Sequence, residues 1–503
     1  MRDFESFTKA LGFTTYPFSV FTAEEEKDLL NNSFVKPMAF SPAAQAAKAG
    51  TNIFLYGERG TGKTALLYRL TSECGQDAEI IEASDFSTVP VAPVQADIYK
   101  FYVSSLATAI FSSMLSRQGV IWSPFSLDQN DRLLLSYLLK EHTTPLSRQA
   151  LREEIKKIQH ARMKRAAVWA FNAARGLLNR TIGVGVDAAS DFISKSLGLP
   201  DLANAKTGGK DYLHRLELAV DDKFDATKAS LALLKKTLAL CQKIKMGRVV
   251  LVFDRIDEDS RLKNDAGLVA DFVRPFLTEN EVFYLEGLQF IFSLWSMSYQ
   301  KVKPDFRANK FCVEAVSWKP MDLLEVLDKR IQAHSSGALQ GHKDLIQQDE
   351  LAYFYAKVLP LANANPRDFW QLMNRILREQ FNADESAVSL SEIAMATGVR
   401  EFVEKFSYFE YYPRKRDAKA NTMDVYSYIS HLSKLSSPKF TNSGLNDAAG
   451  TGSSTTNYIT GMESMGLIRR CEEKGPNGAT LYEIRDPKVT YAVENHIDIR
   501  RDA

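Results

Sequence analysis

Residues 54–70 read FLYGERGTGKTALLYRL, an apolar run and a helical pattern separated by a turn holding three glycines, a lysine and a threonine. From Gly57 the residues Gly57-Glu58-Arg59-Gly60-Thr61-Gly62-Lys63-Thr64 meet G-x-x-x-x-G-K-[ST] at every position, the pattern of a phosphate loop. Glycines let successive backbone N–H groups curl around phosphate oxygens, and the helix starting near Lys63 adds its positive end. Lys63 is expected to reach the β- and γ-phosphates, and the Thr64 hydroxyl to bind Mg²⁺. The expected nucleotide-binding set is therefore Gly57, Glu58, Arg59, Gly60, Thr61, Gly62, Lys63, Thr64 and Ala65. The context agrees, because NIFLY reads as a buried strand and TALLYRLTSE as the helix after it.

Such a loop needs a second strand whose carboxylate holds the metal's water shell. RVVLVFDRIDED, residues 248–259, supplies one: an apolar run ends at Asp254, and Asp257, Glu258 and Asp259 follow. Asp254 is the expected Mg²⁺ partner beside Thr64. The catalytic candidates are Lys63, Asp254, Asp257 and Glu258.

Size and composition bound the rest. A chain of 503 residues with 45% apolar and 25% charged residues is built like a globular protein of two to four domains. Its net charge of +1 gives no global field for nucleic acid or an anionic membrane, so any such surface is local. Cys74, Cys241, Cys312 and Cys471 show no C-x-x-C pair, which argues against zinc and a disulfide framework and suits a reducing cytoplasm. No leader-like start and no apolar run of spanning length is evident.

The two motifs together resemble the AAA+ P-loop ATPases, in particular the origin-recognition-like initiators and the related STAND- and KAP-like ATPases. Initiators of that kind carry Asp-Glu where this chain has Asp254-Arg255, and an arginine cannot accept a proton. STAND- and KAP-like proteins place a further acid three positions on, where Asp257 falls. Asp257 or Glu258 is then expected to orient water, with slow turnover. Further matches are Ser293, near the end of GLQFIFSLW (287–295), as a γ-phosphate sensor, and NANPRDFWQLMNRIL (363–377), where Asn365-Pro366-Arg367 opens a lid helix and Arg367 faces the nucleotide. VEAVSWKPMDLLEVLDKRI (313–331) resembles the strand and helix between them. Tyr16, Pro17 and Phe18 read either as a wall beside the adenine or as a hydrophobic anchor. The resemblance also implies a site shared between subunits, with an arginine supplied in trans from among Arg261, Arg274 and Arg307.

About 190 residues separate Lys63 from Asp254, more than a minimal core needs, so a helical insertion is expected at 120–225. Within it, residues 147–180 hold nine Lys or Arg against two Glu, with Leu151, Ile155, Ile158 and Met163 at roughly helical spacing. A basic helix face of this kind is solvated, or meets phosphates, a partner protein or a membrane surface. After residue 411 a small module begins: three short helices, a Gly-Pro-Asn-Gly hairpin tip and strand-like residues around Tyr482 and Ile484, resembling a winged helix-turn-helix. Its expected recognition helix, 453–465, has no Lys or Arg. Ser453, Ser454, Thr455, Thr456 and Asn457 offer hydrogen bonds, while cations come from Arg469, Arg470, Lys474 and Pro413-Arg414-Lys415-Arg416. DNA and a docking protein both remain open as its partner.

The expected architecture is thus an α/β P-loop core (51–119 and 226–318) after an N-terminal segment (1–50), with a helical insertion (120–225), a helical lid (319–410) and a C-terminal winged helix (411–503). The expected function is an ATP- and Mg²⁺-dependent switch or motor subunit in a homo-oligomer or larger complex, acting with DNA or protein. The resemblance further associates this build with bacterial defence or mobile-element systems. A STAND-like sensor with little turnover is the alternative.

Overall fold

The computed structural model describes residues 3–27, 29–116, scattered positions between 128 and 142, 226–278, 281–412 and 423–499. Apart from those scattered positions, the expected insertion lies outside the described residues, as do its basic stretch and Pro413-Arg414-Lys415-Arg416.

Five strands form a parallel sheet: β1 (Ile53–Gly57), β2 (Ala78–Ala83), β3 (Arg248–Phe253), β4 (Leu288–Trp295) and β5 (Cys312–Ala315), in the order β2-β3-β4-β1-β5. All eight residues of β4 are buried, as an interior strand covered on both faces requires. Because side chains alternate along a strand, the sheet has two chemically different faces. One is aromatic: Phe54, Phe253, Phe290 and Phe292 pack with Tyr102, Phe86 and Phe276 from the helices Gln95–Ser116 and Ala266–Thr278 and the loop after β2. The Phe253 and Phe292 rings stack with centroids 4.3 Å apart. The other face is aliphatic: Leu55, Ile291, Val250 and Val252 meet Leu66, Leu67 and Leu70 of the phosphate-loop helix (Lys63–Glu73) and the alanines of helix Phe40–Ala49. The phosphate loop therefore leaves the sheet next to β4, which separates it from the aspartate strand β3.

The lid is built on helices Pro320–His334, Pro366–Ala383 and Glu392–Glu404. The last two cross at Gly398, where a Cβ would lie 2.6 Å from Ile376 Cα. Gly398→Ala is accordingly expected to force these helices apart and cost about 1–3 kcal/mol, read as a lowered denaturant midpoint at unchanged slope. The N-terminal segment divides between two bodies. Its helix Phe40–Ala49 covers the sheet, whereas Phe7, Leu11, Phe13 and Phe18 are buried in the lid core.

Residues 423–499 form the winged helix. Helices Val425–Leu432, Asn442–Ala449 and Thr455–Met465 pack on a three-stranded antiparallel sheet, β6 (Lys439–Thr441), β7 (Ile468–Lys474) and β8 (Thr480–Ile484), ordered β6-β8-β7. A closing helix, Pro487–Glu494, carries Val489, Ala492 and Val493 into a core that runs without a break into the lid. The fold class expected from sequence is the one observed for the core and the winged helix. β6 is an addition that three residues of KFT did not signal.

A candidate nucleotide-binding site

β1 ends at Gly57, the loop turns back through Gly60 and Gly62, both at positive φ (80° and 85°), and the helix begins at Lys63. Every carbonyl from Gly57 to Thr61 is engaged by protein. Lys63 Nζ donates to Gly57 O (3.0 Å) and Glu58 O (2.9 Å). Asn365 Nδ2 donates to Arg59 O (2.6 Å), Arg367 N to Gly60 O (3.4 Å) and Trp318 Nε1 to Thr61 O (2.9 Å). With its acceptors committed, the loop keeps the N–H groups of the helix's first turn as donors, the arrangement that suits a phosphate. Gly60 is required by its neighbours as well as its φ: a Cβ there would lie 2.5 Å from Asn365 Oδ1.

Thr64 and Asp254, 190 residues apart in sequence, meet directly: Thr64 Oγ1 donates to Asp254 Oδ2 at 2.7 Å. A hydroxyl and a carboxylate side by side are hard oxygen donors that fit Mg²⁺, which takes one or two protein oxygens and completes its shell with phosphates and water. Among the described residues no group of three or more His, Cys, Asp or Glu forms a metal cluster, so the ion would depend on those phosphates. A cleft lined by Thr64, Asp254, Arg255, Glu24, Glu82 and Tyr68 opens beside the pair. Burial pulls the Lys63 ammonium below its ordinary range; Asp257, Asp254 and Glu58 oppose this, and Arg367 reinforces it.

The two acids named for water activation have different surroundings. Asp257 is clasped by the loop itself: Arg59 Nε donates to its Oδ2 (2.7 Å) and Arg59 Nη2 to its backbone O (3.0 Å). The Arg59 guanidinium also lies over the Trp295 ring, 4.4 Å from its centroid, and Trp295 Nε1 donates to Glu58 Oε2 (3.2 Å). Glu258, by contrast, has no hydrogen-bond partner for its carboxylate among the described residues. Burial pushes its pKa up, Asp257 adds to the rise and Arg255 offsets part of it. Arg255 adopts a left-handed conformation (φ 56°) and pairs with Glu24 at 3.3 Å.

Other candidates fall as follows. Ser293 is buried (2% exposed) within β4 with its hydroxyl unpaired, level with Leu55 of β1; Trp295, opposite Gly57, is the β4 residue that touches the loop. Phe18 is wholly buried against Trp370, Tyr16 donates to Asn374 Oδ1 (2.7 Å), and Pro17 O accepts from Arg330 Nε, so the Tyr16-Pro17-Phe18 stretch is an anchor to the lid. Ala65 sits in the first turn of the loop helix. Of the arginines, Arg261 donates to Asp259 and to the carbonyls of Phe86 and Val89. Arg274 pairs with Asp271 and Asp305, and Arg307 is exposed. Trp295, Trp318 and Asn365 were not expected at the loop; a single indole or amide carries no motif, and only the tertiary approach reveals it.

A phosphate loop, a threonine–aspartate pair across an intervening strand and a lid seated on the loop together form the arrangement of a P-loop nucleotide site. Residues 16–77, which include the loop, match the family model described as ORC-CDC6-like, so the resemblance to origin-recognition-like AAA+ proteins is borne out over that segment. Solved structures similar to this chain include the Aeropyrum pernix ORC2 protein in ADPNP–ADP complexes, at 10% identity and TM-score 0.39 over 97% of each chain. The ADP form of the same protein matches at 11% identity and TM-score 0.37, covering 94% of this chain and 97% of that one. No curated protein matches the chain. Among the described residues no helix is long and apolar enough to cross a membrane.

Proposed function

We propose that this protein is an ATP- and Mg²⁺-binding AAA+-like switch that hydrolyses ATP slowly and acts on a larger complex. The observation that carries this reading is the 2.7 Å Thr64–Asp254 contact at the mouth of a loop whose carbonyls are all engaged. Lys63 and the loop N–H groups would hold the β- and γ-phosphates, and Thr64 and Asp254 would hold Mg²⁺, which neutralises charge developing on the transferred phosphoryl group. Hydrolysis joins water's oxygen to the γ-phosphorus as the bond to ADP's β-phosphate oxygen breaks, and the water gives up a proton. We assign that proton to Glu258, since Asp257 is occupied by Arg59 whereas the exposed Glu258 carboxylate has no partner among the described residues, and its raised pKa makes it the stronger base.

Single-turnover ATP hydrolysis on Glu258→Gln and Asp257→Asn tests the assignment. Glu258→Gln is expected to lose about 100-fold in rate with nucleotide affinity kept, and Asp257→Asn to lose far less. The opposite ranking would transfer the role to Asp257.

A second reading, a nucleotide-gated sensor with little turnover, is favoured by Arg255 following Asp254 and by the Arg59–Asp257 clasp. Equal, negligible rates in wild type and both variants, with nucleotide retained, would select it. On either reading the winged helix is better suited to a protein than to DNA. Among the described residues Arg469 pairs with Glu483, Arg470 with Glu463 and Lys439 with Glu473, which reduces the positive charge free to displace counterions to that of cations such as Lys474.

A further inference from the structure

Lys488, on the closing helix of the winged helix, is fully buried, yet its ammonium is met by two carboxylates: Asp368 Oδ2 at 3.0 Å and Asp486 Oδ1 at 3.4 Å. The ammonium also lies over the rings of Phe406 (4.3 Å) and Tyr411 (5.1 Å). Asp368 belongs to the lid helix that Pro366 opens, two residues after it. Its other oxygen accepts from the Tyr411 hydroxyl at 2.7 Å, and that hydroxyl in turn accepts from Asn365 Nδ2 at 2.6 Å. Asn365 Nδ2 is the donor that also holds Arg59 O in the phosphate loop. Asn365, Asp368, Asp486 and Lys488 are each 2% exposed or less. A continuous line of charge and hydrogen bonds, buried except at half-buried Tyr411 and Arg59, thus joins the loop to the winged helix through the lid.

We propose that Asn365, Tyr411, Asp368 and Lys488 form a relay that couples occupancy of the phosphate loop to the seating of the winged helix on the lid, with Tyr411 and Lys488 as positioning residues for the nucleotide site. The inference rests on the nucleotide-binding reading above. Its physical basis is that a buried polar chain has few alternative arrangements, because any member that shifts leaves another without a partner in a low-dielectric interior. A phosphate that draws the loop N–H groups inward moves Arg59 O, and Asn365 must follow or lose its bond. By reciprocity, whatever holds the winged helix in place also tightens nucleotide binding.

Tyr411→Phe breaks the relay at its middle without removing a charge. Full-length wild type and Tyr411→Phe are compared by hydrogen exchange of the amides of 487–494, with Mg²⁺ and either ADP or a non-hydrolysable ATP analogue, after nucleotide affinity has been measured on the same samples. In wild type, nucleotide is expected to slow exchange of this helix about tenfold, although it lies roughly 80 residues in sequence beyond the lid and outside the nucleotide site. In Tyr411→Phe that slowing should vanish, with nucleotide still bound and affinity reduced severalfold. Conservative rescue is expected from Asp368→Glu in the wild-type background, which keeps the charge and retains part of the slowing. Bound nucleotide that leaves exchange at 487–494 unchanged in wild type overturns the relay while sparing the nucleotide reading. So does an undiminished effect in Tyr411→Phe. Failure of wild type to bind any nucleotide removes both.

Discussion

Lys63→Ala is expected to weaken ATP binding by about 100-fold and to bring hydrolysis below detection, measured by titration with a fluorescent ATP analogue and by phosphate release. The Lys63 ammonium is one of two cations in the loop, and the other, Arg59, is committed to Asp257. Lys63 Nζ donates to Gly57 O and Glu58 O, and burial makes that ammonium costly to keep charged. An incoming phosphate replaces two neutral acceptors by anionic ones, so the affinity gained is large. Thr64→Ala separates this effect from the metal's: it should leave nucleotide binding in EDTA unchanged and abolish the gain that Mg²⁺ adds. If Lys63→Ala binds nucleotide as wild type does, the loop is not a phosphate site.

The largest loss of stability is expected from Lys488→Met. Removing the ammonium leaves Asp368 and Asp486 buried without their cation, and breaking a buried pair in this way costs about 3–5 kcal/mol. Asp486 keeps the Lys488 backbone N–H and the Tyr412 hydroxyl as donors, and Asp368 keeps Tyr411, so Asp368 suffers more. The sign with pH follows. A buried carboxyl without its cation has a folded pKa above its unfolded value, so the folded variant takes up protons as pH falls. The deficit relative to wild type, read from denaturant midpoints, should shrink as pH falls from 7 toward 5. A deficit that is small at pH 7, or that grows on acidification, would show that Lys488 is not balancing these carboxylates.

What could be read in the sequence was what is written contiguously. The phosphate loop is eight successive residues, and the strand to Asp254 is an unbroken apolar run, so both were legible, as was the meeting of Thr64 with Asp254. The three-helix pattern and hairpin tip of the winged helix were legible for the same reason. Lys488 was not: in DPKVTY it looks like a surface lysine one turn into a helix, and its burial is explained only by Asp368, 120 residues earlier. Trp318 and Trp295 were also silent, since nothing local distinguishes an indole that donates to a loop carbonyl from one that fills a core. Asn365-Pro366-Arg367 was read for its arginine and its helix start, yet it is the asparagine that physically joins lid to loop. Asp257 and Glu258 stand one residue apart and look interchangeable on paper. The side chain of Arg59, 198 residues away, is what makes them different.

The order of the strands also bears on how the protein comes to exist. β1 sits inside the sheet, with Ile53 paired to Ile291 on one side and to Cys312 on the other. At a synthesis rate of about 5–20 residues per second, the roughly 260 residues between Ile53 and Cys312 emerge over some 13–50 s. Until Ile291 emerges, about 20 residues before Cys312, Ile53, Phe54 and Leu55 have neither neighbour, and Thr14 and Thr15 wait still longer for the carbonyl of His334 that fixes the N-terminal segment to the lid. The nascent chain thus carries an apolar strand with two open edges, and its N-terminal third has no route to a closed core of its own. Chains that terminate before Cys312 are expected to be held by chaperones or to aggregate, so the five-stranded P-loop core becomes foldable only once Cys312 has emerged.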